Sequence, residues 1–383
     1  MTVRTLAVRR AAVADPPPRP RVLLAPVTIT PAKPLLPSHL KGLLWTDVMF
    51  RATRLLADVT LRSSHTTYDV CEQTAGFWEY LDRTLGDTDY STCSEEDIGE
   101  LYVRYRAAGD RAPFAACRPY VEATERHGWV HPASARVLEL WQAHYARLGM
   151  HDPGLGQRQP PGLGLAEMID RLGSLGMCLD LRRHGGPVYL DATRDGLPLR
   201  QIVAADGRPN YLACALRELL ALAPSYDEVV LLYDRELEQD YLLLARALEP
   251  LGVRAHRVAL GRVPIEGRIR SARHGEWRGH TAGALLDAAA SYDPEAVRLG
   301  MRMYFIATLG PGDRNSFRGD LLRRCLRRAE RLLSGPDGSG SIAGALERHR
   351  GEHSYVDPYR LTSGLLAARP RGPVRELLAG VFT

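Results

Sequence analysis

A single histidine, His39, stands at the start of an expected helix in "PLLPSHLKGLLWTDVMFRATRLL" (34–56), and Lys33 and Lys41, the only two lysines beside 48 arginines, flank it. Such an arrangement suits an anion. A helix N-terminus offers unpaired backbone N–H groups and a partial positive charge, an imidazole adds a placed donor, and an ammonium adds a compact charge where a planar guanidinium is not equivalent. The plainer alternatives stay open: His39 as a core-edge histidine, Lys41 as a solvated side chain, and the scarcity of lysine as a coding bias. A second set of polar residues, Asp234 and Glu236, follows the apolar run "DEVVLLYD" (227–234), where strand-end carboxylates accept from sugar hydroxyls or cap a helix.

The elements that must position these groups alternate. "RVLLAPVTIT" (21–30) reads as a buried strand. Leu40, Leu43, Leu44, Val48, Ala52, Leu55 and Leu56 then share one helical face, with Pro37 as a stop and Ser38 as N-cap, and "DVTLRSS" (58–64) reads as a second strand. Strand, helix and parallel strand make a βαβ unit. Residues 76–165 interrupt it with Trp-, Tyr- and Arg-rich helical stretches and a Gly/Pro-rich connector at 152–164. A helix then feeds a Gly-Gly hairpin carrying Tyr189 and Asp191, followed by helix 211–222, strand 227–234, helix 239–251, strand 254–260 and a polar loop, 261–280. The expected fold class is α/β: one nucleotide-binding parallel sheet split by a helical insertion. The expected organisation is a flexible tail (1–20), a first half (21–75), an insertion (76–165), a second half (166–311) and a helical, Arg-rich extension (312–383) with a disordered "SGPDGSGS" at 334–341.

Composition limits the rest. With 45% hydrophobic and 25% charged residues and no apolar run long enough to span a bilayer, the chain reads as a globular protein of the cytoplasm, away from membranes. The formal charge of +5 is spread along the chain and does not by itself indicate a polyanion partner. Six cysteines without a C-x-x-C pair support neither a zinc knuckle nor a disulfide framework. The basic, proline-rich start lacks the apolar core of a secretory signal.

The order of these pieces resembles the catalytic core of class I aminoacyl-tRNA synthetases of the methionyl, arginyl and cysteinyl branch, over residues 21–310. "LPSHLKGLLWTDVMFR" aligns with that family's His-x-Gly-His helix start, with Leu36 in the first histidine's place and His39 in the second's. The Thr46–Asp47 pair and Arg51 follow as they do in the family. "MIDRLGSLGMCLDLRRHGGPVYLD", "VVLLYDRE", "RIRSARHGEWRGHTAGALLDAA" and "DPEAVRLGMRMYFIA" match later family segments in order, the third in place of a Lys-Met-Ser-Lys-Ser signature. The resemblance implies ATP with Mg2+ as cofactors and an aminoacyl-adenylate as product. It casts His39, Lys33 and Lys41 as phosphate donors, and Asp234 and Glu236 as ribose acceptors. A pyrophosphate clamp would be built from Arg268, Arg270, Ser271 and Arg273 with Gly275 as its joint, or the segment is an ordinary solvated basic loop. His65, Tyr68, Asp69, Asn210 and Tyr211 would bind the amino acid.

Only about 70 residues follow the core, too few for a large anticodon-reading domain. The expected acceptor is therefore a small amine or hydroxylamine, as in stand-alone relatives of specialised metabolism such as the methionyl-synthetase-like half of hydrazine-forming enzymes, with any further partner enzyme a separate chain. Two other functions remain: a minimal enzyme gripping a tRNA acceptor stem through "RGDLLRRCLRRAERLL" (318–333), and a silent nucleotide-binding paralog.

Overall fold

A computed structural model describes residues 18–27, 29–63, 70–109, 112–157, 159, 161–269, 277, 279–338, 341–367 and 374–383. The expected clamp residues Arg270, Ser271, Arg273 and Gly275, the pocket candidates His65, Tyr68 and Asp69, and nearly all of the expected tail lie outside the described residues.

The first strand, β1 (Arg21–Pro26), leads into α1 (Pro37–Thr53) and back to β2 (Asp58–Leu61), which pairs parallel with β1. Four helices follow: α2 (Glu72–Leu85), α3 (Glu95–Ala108), α4 (Phe114–His127) and α5 (Pro132–Arg147). After α6 (Leu165–Ser174) come the short strands β3 (Cys178–Asp180), β4 (Val188–Leu190) and β5 (Arg200–Val203), which form an antiparallel sheet. The chain returns through α7 (Tyr211–Leu222), β6 (Glu228–Asp234), α8 (Glu238–Leu248) and β7 (Arg254–Leu260).

Among the described residues the main sheet has the order β2-β1-β6-β7, parallel throughout. The crossover from β1 runs towards one edge and the crossover from β6 towards the other. Right-handed crossovers in opposite directions place their helices on opposite faces. The two cores agree: alternate residues Val22, Leu24, Val230 and Leu232 pack with α1, whereas Leu23, Ala25, Val229 and Leu231 pack with α6, α7 and α8.

Helix α1 is buried on most of its circumference, so its apolar stripe extends well beyond the face expected from sequence. One side faces the sheet; of the later helices α9 (Ala282–Ala288), α10 (Pro294–Arg302), α11 (Gly319–Ser334), α12 (Ile342–Glu347) and α13 (Pro358–Leu366), which share its core, α10 and α13 lie against the other side together with residues 303–308 and the last residues, where Val381 and Phe382 are fully buried. A buried ion pair links these layers. Arg302 donates to Asp47 at 2.6 Å and to the carbonyl of Leu148 at 2.8 Å, while Asp47 also accepts from the His151 N–H at 2.8 Å and Arg51 at 3.3 Å. Asp47 and Arg51 thus tie α1 to α10 and to the end of the insertion.

One local expectation is corrected. Leu36, not Ser38, is the N-cap of α1: Pro37 occupies the first turn, where its missing N–H costs nothing, and the Ser38 hydroxyl instead accepts the N–H of Val263 at 3.0 Å. The hairpin gains a third strand, β5, in a segment for which no element was expected. Of the segment 334–341, expected to be disordered, residues 339 and 340 lie outside the described residues, while Gly335 and Asp337 are bonding partners of Arg375, the Asp337 carboxylate accepting its backbone N–H at 2.8 Å.

Candidate active site

Where two crossovers diverge, the carboxyl ends of the parting strands leave a crevice. Here they part between β1 and β6, and a cavity of about 260 Å3 lies there. Pro26 from β1, Asp234 from β6 and Leu260 from β7 line it, together with the start of α1.

His39 is on that wall, at the third position of α1. Its Nδ1 accepts the N–H of Leu36 at 3.0 Å, which satisfies one of the backbone donors left open at the helix start. Burial, then the neighbouring charges of Lys33 and Arg262, push its pKa down from 6.5 to about 3. The ring is therefore neutral at neutral pH. With Nδ1 accepting, Nε2 must carry the proton, and no described residue takes that N–H. The helix cap has set the tautomer that presents a donor to the crevice.

Lys33 also lines the crevice, with its ammonium 5.7 Å from the centroid of the Tyr102 ring. Asp234 lines it as well. Burial raises its pKa, opposed by Arg262, whose Nε lies 3.3 Å from the carboxylate and whose Nη1 reaches Glu236 at 2.9 Å. Arg262 was not foreseen. Among 48 arginines nothing in its type marks it; its position just past the carboxyl end of β7 is the one signal that could have.

Lys41 sits elsewhere. It is 1% exposed, and its ammonium donates to the carbonyls of Gly261 and Gly312 at 2.7 and 2.6 Å, beneath the loop that bears Arg262. Burial lowers its pKa to about 8. The two loops touch there so closely that a Cβ on Gly261 would lie 2.4 Å from the backbone of Gly312. Lys41 therefore positions the crevice rim rather than lining it. Leu36, in the first histidine's place, is also turned inward, packed with Trp277 and Val103.

The remaining candidates divide. Tyr211 lines the crevice, with its hydroxyl donating to Asp240. Asn210 does not line it: its Oδ1 accepts the Ala213 N–H at 3.0 Å as the N-cap of α7, and its Nδ2 donates to Gln201 at 2.7 Å. Arg268 is exposed at a tight turn closed by reciprocal backbone bonds with Ile265 and is not on the wall. No group of three or more His, Cys, Asp or Glu side chains that could hold a metal ion occurs among the described residues. No helix of the described residues is long and apolar enough to cross a membrane.

A divided parallel sheet with donors at the start of its first helix defines a Rossmann-like α/β core. Comparison with solved structures narrows this. Arginyl-tRNA synthetase from Thermus thermophilus superposes with a TM-score of 0.61 at 16% identity, over 95% of this chain and 74% of that one. Methionyl-tRNA synthetase from Mycobacterium tuberculosis, bound by methionyl-adenylate, gives 0.51 at 12% over 94% and 83%. Arginyl-tRNA synthetase from Plasmodium falciparum gives 0.51 at 10% over 87% and 58%. No family model matches the chain, and no curated protein matches it. The fold is that of class I aminoacyl-tRNA synthetase cores.

Proposed function

We propose that the crevice activates a carboxylic acid, an amino acid, with ATP. The observation that carries this reading is His39: a neutral imidazole, fixed by its own helix cap, beside Lys33 and Arg262 at the switch point of the sheet. The triphosphate would lie at the start of α1, where backbone N–H groups, the Nε2–H of His39 and the two cations oppose its charge. An oxygen of the substrate carboxylate attacks the α-phosphorus, the bond to the bridging oxygen breaks, and pyrophosphate leaves with its electron pair. Negative charge grows on the phosphoryl oxygens as this happens, and donors already in place stabilise it without reorganising. Asp234, at the end of β6, suits a ribose hydroxyl. The methionyl-adenylate held by one structural neighbour is a product of this type.

We further propose that the acyl group passes to a small amine or hydroxylamine: its nitrogen attacks the acyl carbonyl, loses a proton, and AMP leaves. Amino-acid-dependent exchange of pyrophosphate into ATP tests the first step. Exchange above background with at least one amino acid, abolished in His39→Ala, is the expected result; silence across proteinogenic and N-hydroxylated amino acids overturns it.

One observation favours a tRNA acceptor instead. Helix α11 buries Leu322, Cys325 and Leu326 and leaves Arg323, Arg324, Arg327 and Arg331 exposed. Salt-sensitive tRNA binding lost on replacing these arginines would support that acceptor. For a silent paralog the favouring observation is the inward-turned Leu36, and ATP binding without turnover would support it.

A further inference from the structure

We propose that the acyl group this crevice accepts carries an uncharged, apolar or aromatic side chain, selected by a wall that α7 and α8 supply through Tyr211, Leu212, Ala215, Tyr241 and Leu244. The inference rests on the activation reading above and names its substrate class. Among the described residues the charged or basic groups lining the crevice are Lys33, His39, Asp234 and Arg262. They form one cluster: Lys33 and Arg262 both act on His39 and both act on Asp234. Among the described residues the charge of the lining is thus gathered around Arg262, 3.3 Å from Asp234, on the side suited to phosphate and ribose.

The α7–α8 wall is of another kind. It presents aliphatic side chains and tyrosine rings from the core on the other face of the sheet. The carboxylate that Tyr211 touches is already occupied. Asp240 is 8% exposed, accepts the Tyr211 hydroxyl and pairs with Arg200 at 2.6 Å, so it has no role left for a substrate ammonium or guanidinium. The tyrosines are fixed in the same manner. Tyr233 donates to Glu238 at 2.8 Å, Arg257 holds Glu238 at 2.6 Å, and the Tyr233 and Tyr241 rings stack at 4.4 Å. A charged side chain set against this wall loses its water and finds no charged partner among the described residues of the wall, which is far more costly than a mismatched methylene. An apolar side chain loses nothing and buries its surface.

The test is calorimetric binding of stable acyl-sulfamoyl adenosines, which mimic the adenylate and need no turnover. The leucyl or phenylalanyl compound should bind at least about 100-fold tighter than the arginyl and glutamyl compounds. Equal binding of all four, or tighter binding of a charged one, overturns the inference. In parallel, Ala215→Val narrows the wall and should weaken the phenylalanyl compound roughly tenfold more than the alanyl one; an equal effect on both removes Ala215 from the selecting wall. The inference and the reading beneath it fail differently. Pyrophosphate exchange with charged amino acids alone leaves activation standing and removes the selectivity. No exchange together with no binding of any analogue removes activation, and the selectivity with it.

Discussion

An ammonium and a guanidinium differ in shape before they differ in charge, and Lys41 shows where shape decides. Two loops cross at Gly261 and Gly312, and a compact tetrahedral donor fits between their carbonyls, where a planar fork would have to force them apart. Lys41→Met leaves both carbonyls without this donor and should lower stability by about 2–4 kcal/mol, measured by urea unfolding; Lys41→Arg should also destabilise, by about 1–3 kcal/mol through overpacking. His39 carries a different prediction. Its folded pKa of about 3 lies below the free value of 6.5, so the unfolded chain takes up the proton first. The imidazole therefore opposes folding increasingly as pH falls from 6.5 towards 3, and not above it. His39→Asn should be less acid-sensitive across that window in unfolding experiments. It should also lower pyrophosphate exchange by about 10²–10³, the usual loss for one preorganised donor. Wild-type exchange should show no limb near pH 6.5 arising from this residue. The place of His39 was legible because strand-to-helix junctions announce themselves in apolar pattern and proline. The burial of Lys41 was not, since its partners are carbonyls 220 and 271 residues away.

Elements were read best where apolar runs are long. The strand "EVVLLYD" and the leucine-rich α1 stand out from their neighbours; the strand fell within a residue of expectation, while α1 ends at Thr53 and leaves Leu55 and Leu56 of its expected face beyond the helix. The four residues of β5 were missed because "RQIV" is too short to show an alternation of its own and pairs only through β4. The start of α1 was misread by two residues because Ser38 is a good cap by type, and only its bond to Val263 reveals its use. Glu228, at the start of β6, makes a prediction at this scale. It is 1% exposed and accepts from the Ser354 N–H and hydroxyl, both at 2.9 Å, with Arg254 2.8 Å and His256 3.3 Å away. Burial alone would raise its pKa, but these partners outweigh it and bring it from 4.5 down to about 2. A carboxylate depressed in this way contributes fully above pH 4.5, and its contribution is lost as pH falls towards 2. Glu228→Gln should destabilise the protein by about 1.5–3 kcal/mol at neutral pH, through the loss of a charged acceptor for Ser354 and Arg254, and should flatten the acid limb of the unfolding profile. Hydrogen exchange should show the loss at residues 349–357.

At the scale of the molecule, alternating βαβ units made the divided sheet readable, since parallel strands demand crossovers and crossovers have one hand. The way the final helices close over α1 was not readable: Phe382 and Val381 are simply apolar by type, and only packing shows that they complete the core beneath His39's own helix. Deleting residues 374–383 should therefore expose α1 and destabilise the whole protein, not fray one end, as a calorimetric melt would record. The central pairing of β1 with β6 has a consequence in time. Arg21 donates its N–H to Asp227 across 206 residues of chain, so the two strands whose parting makes the crevice meet only when more than half of the polypeptide has left the ribosome. Until then β1 and α1 hold an apolar surface with no sheet to cover it, and closing so long a loop is slow. The nascent chain would need shelter during synthesis, and its catalytic centre would be born late, at the moment when the two halves first touch.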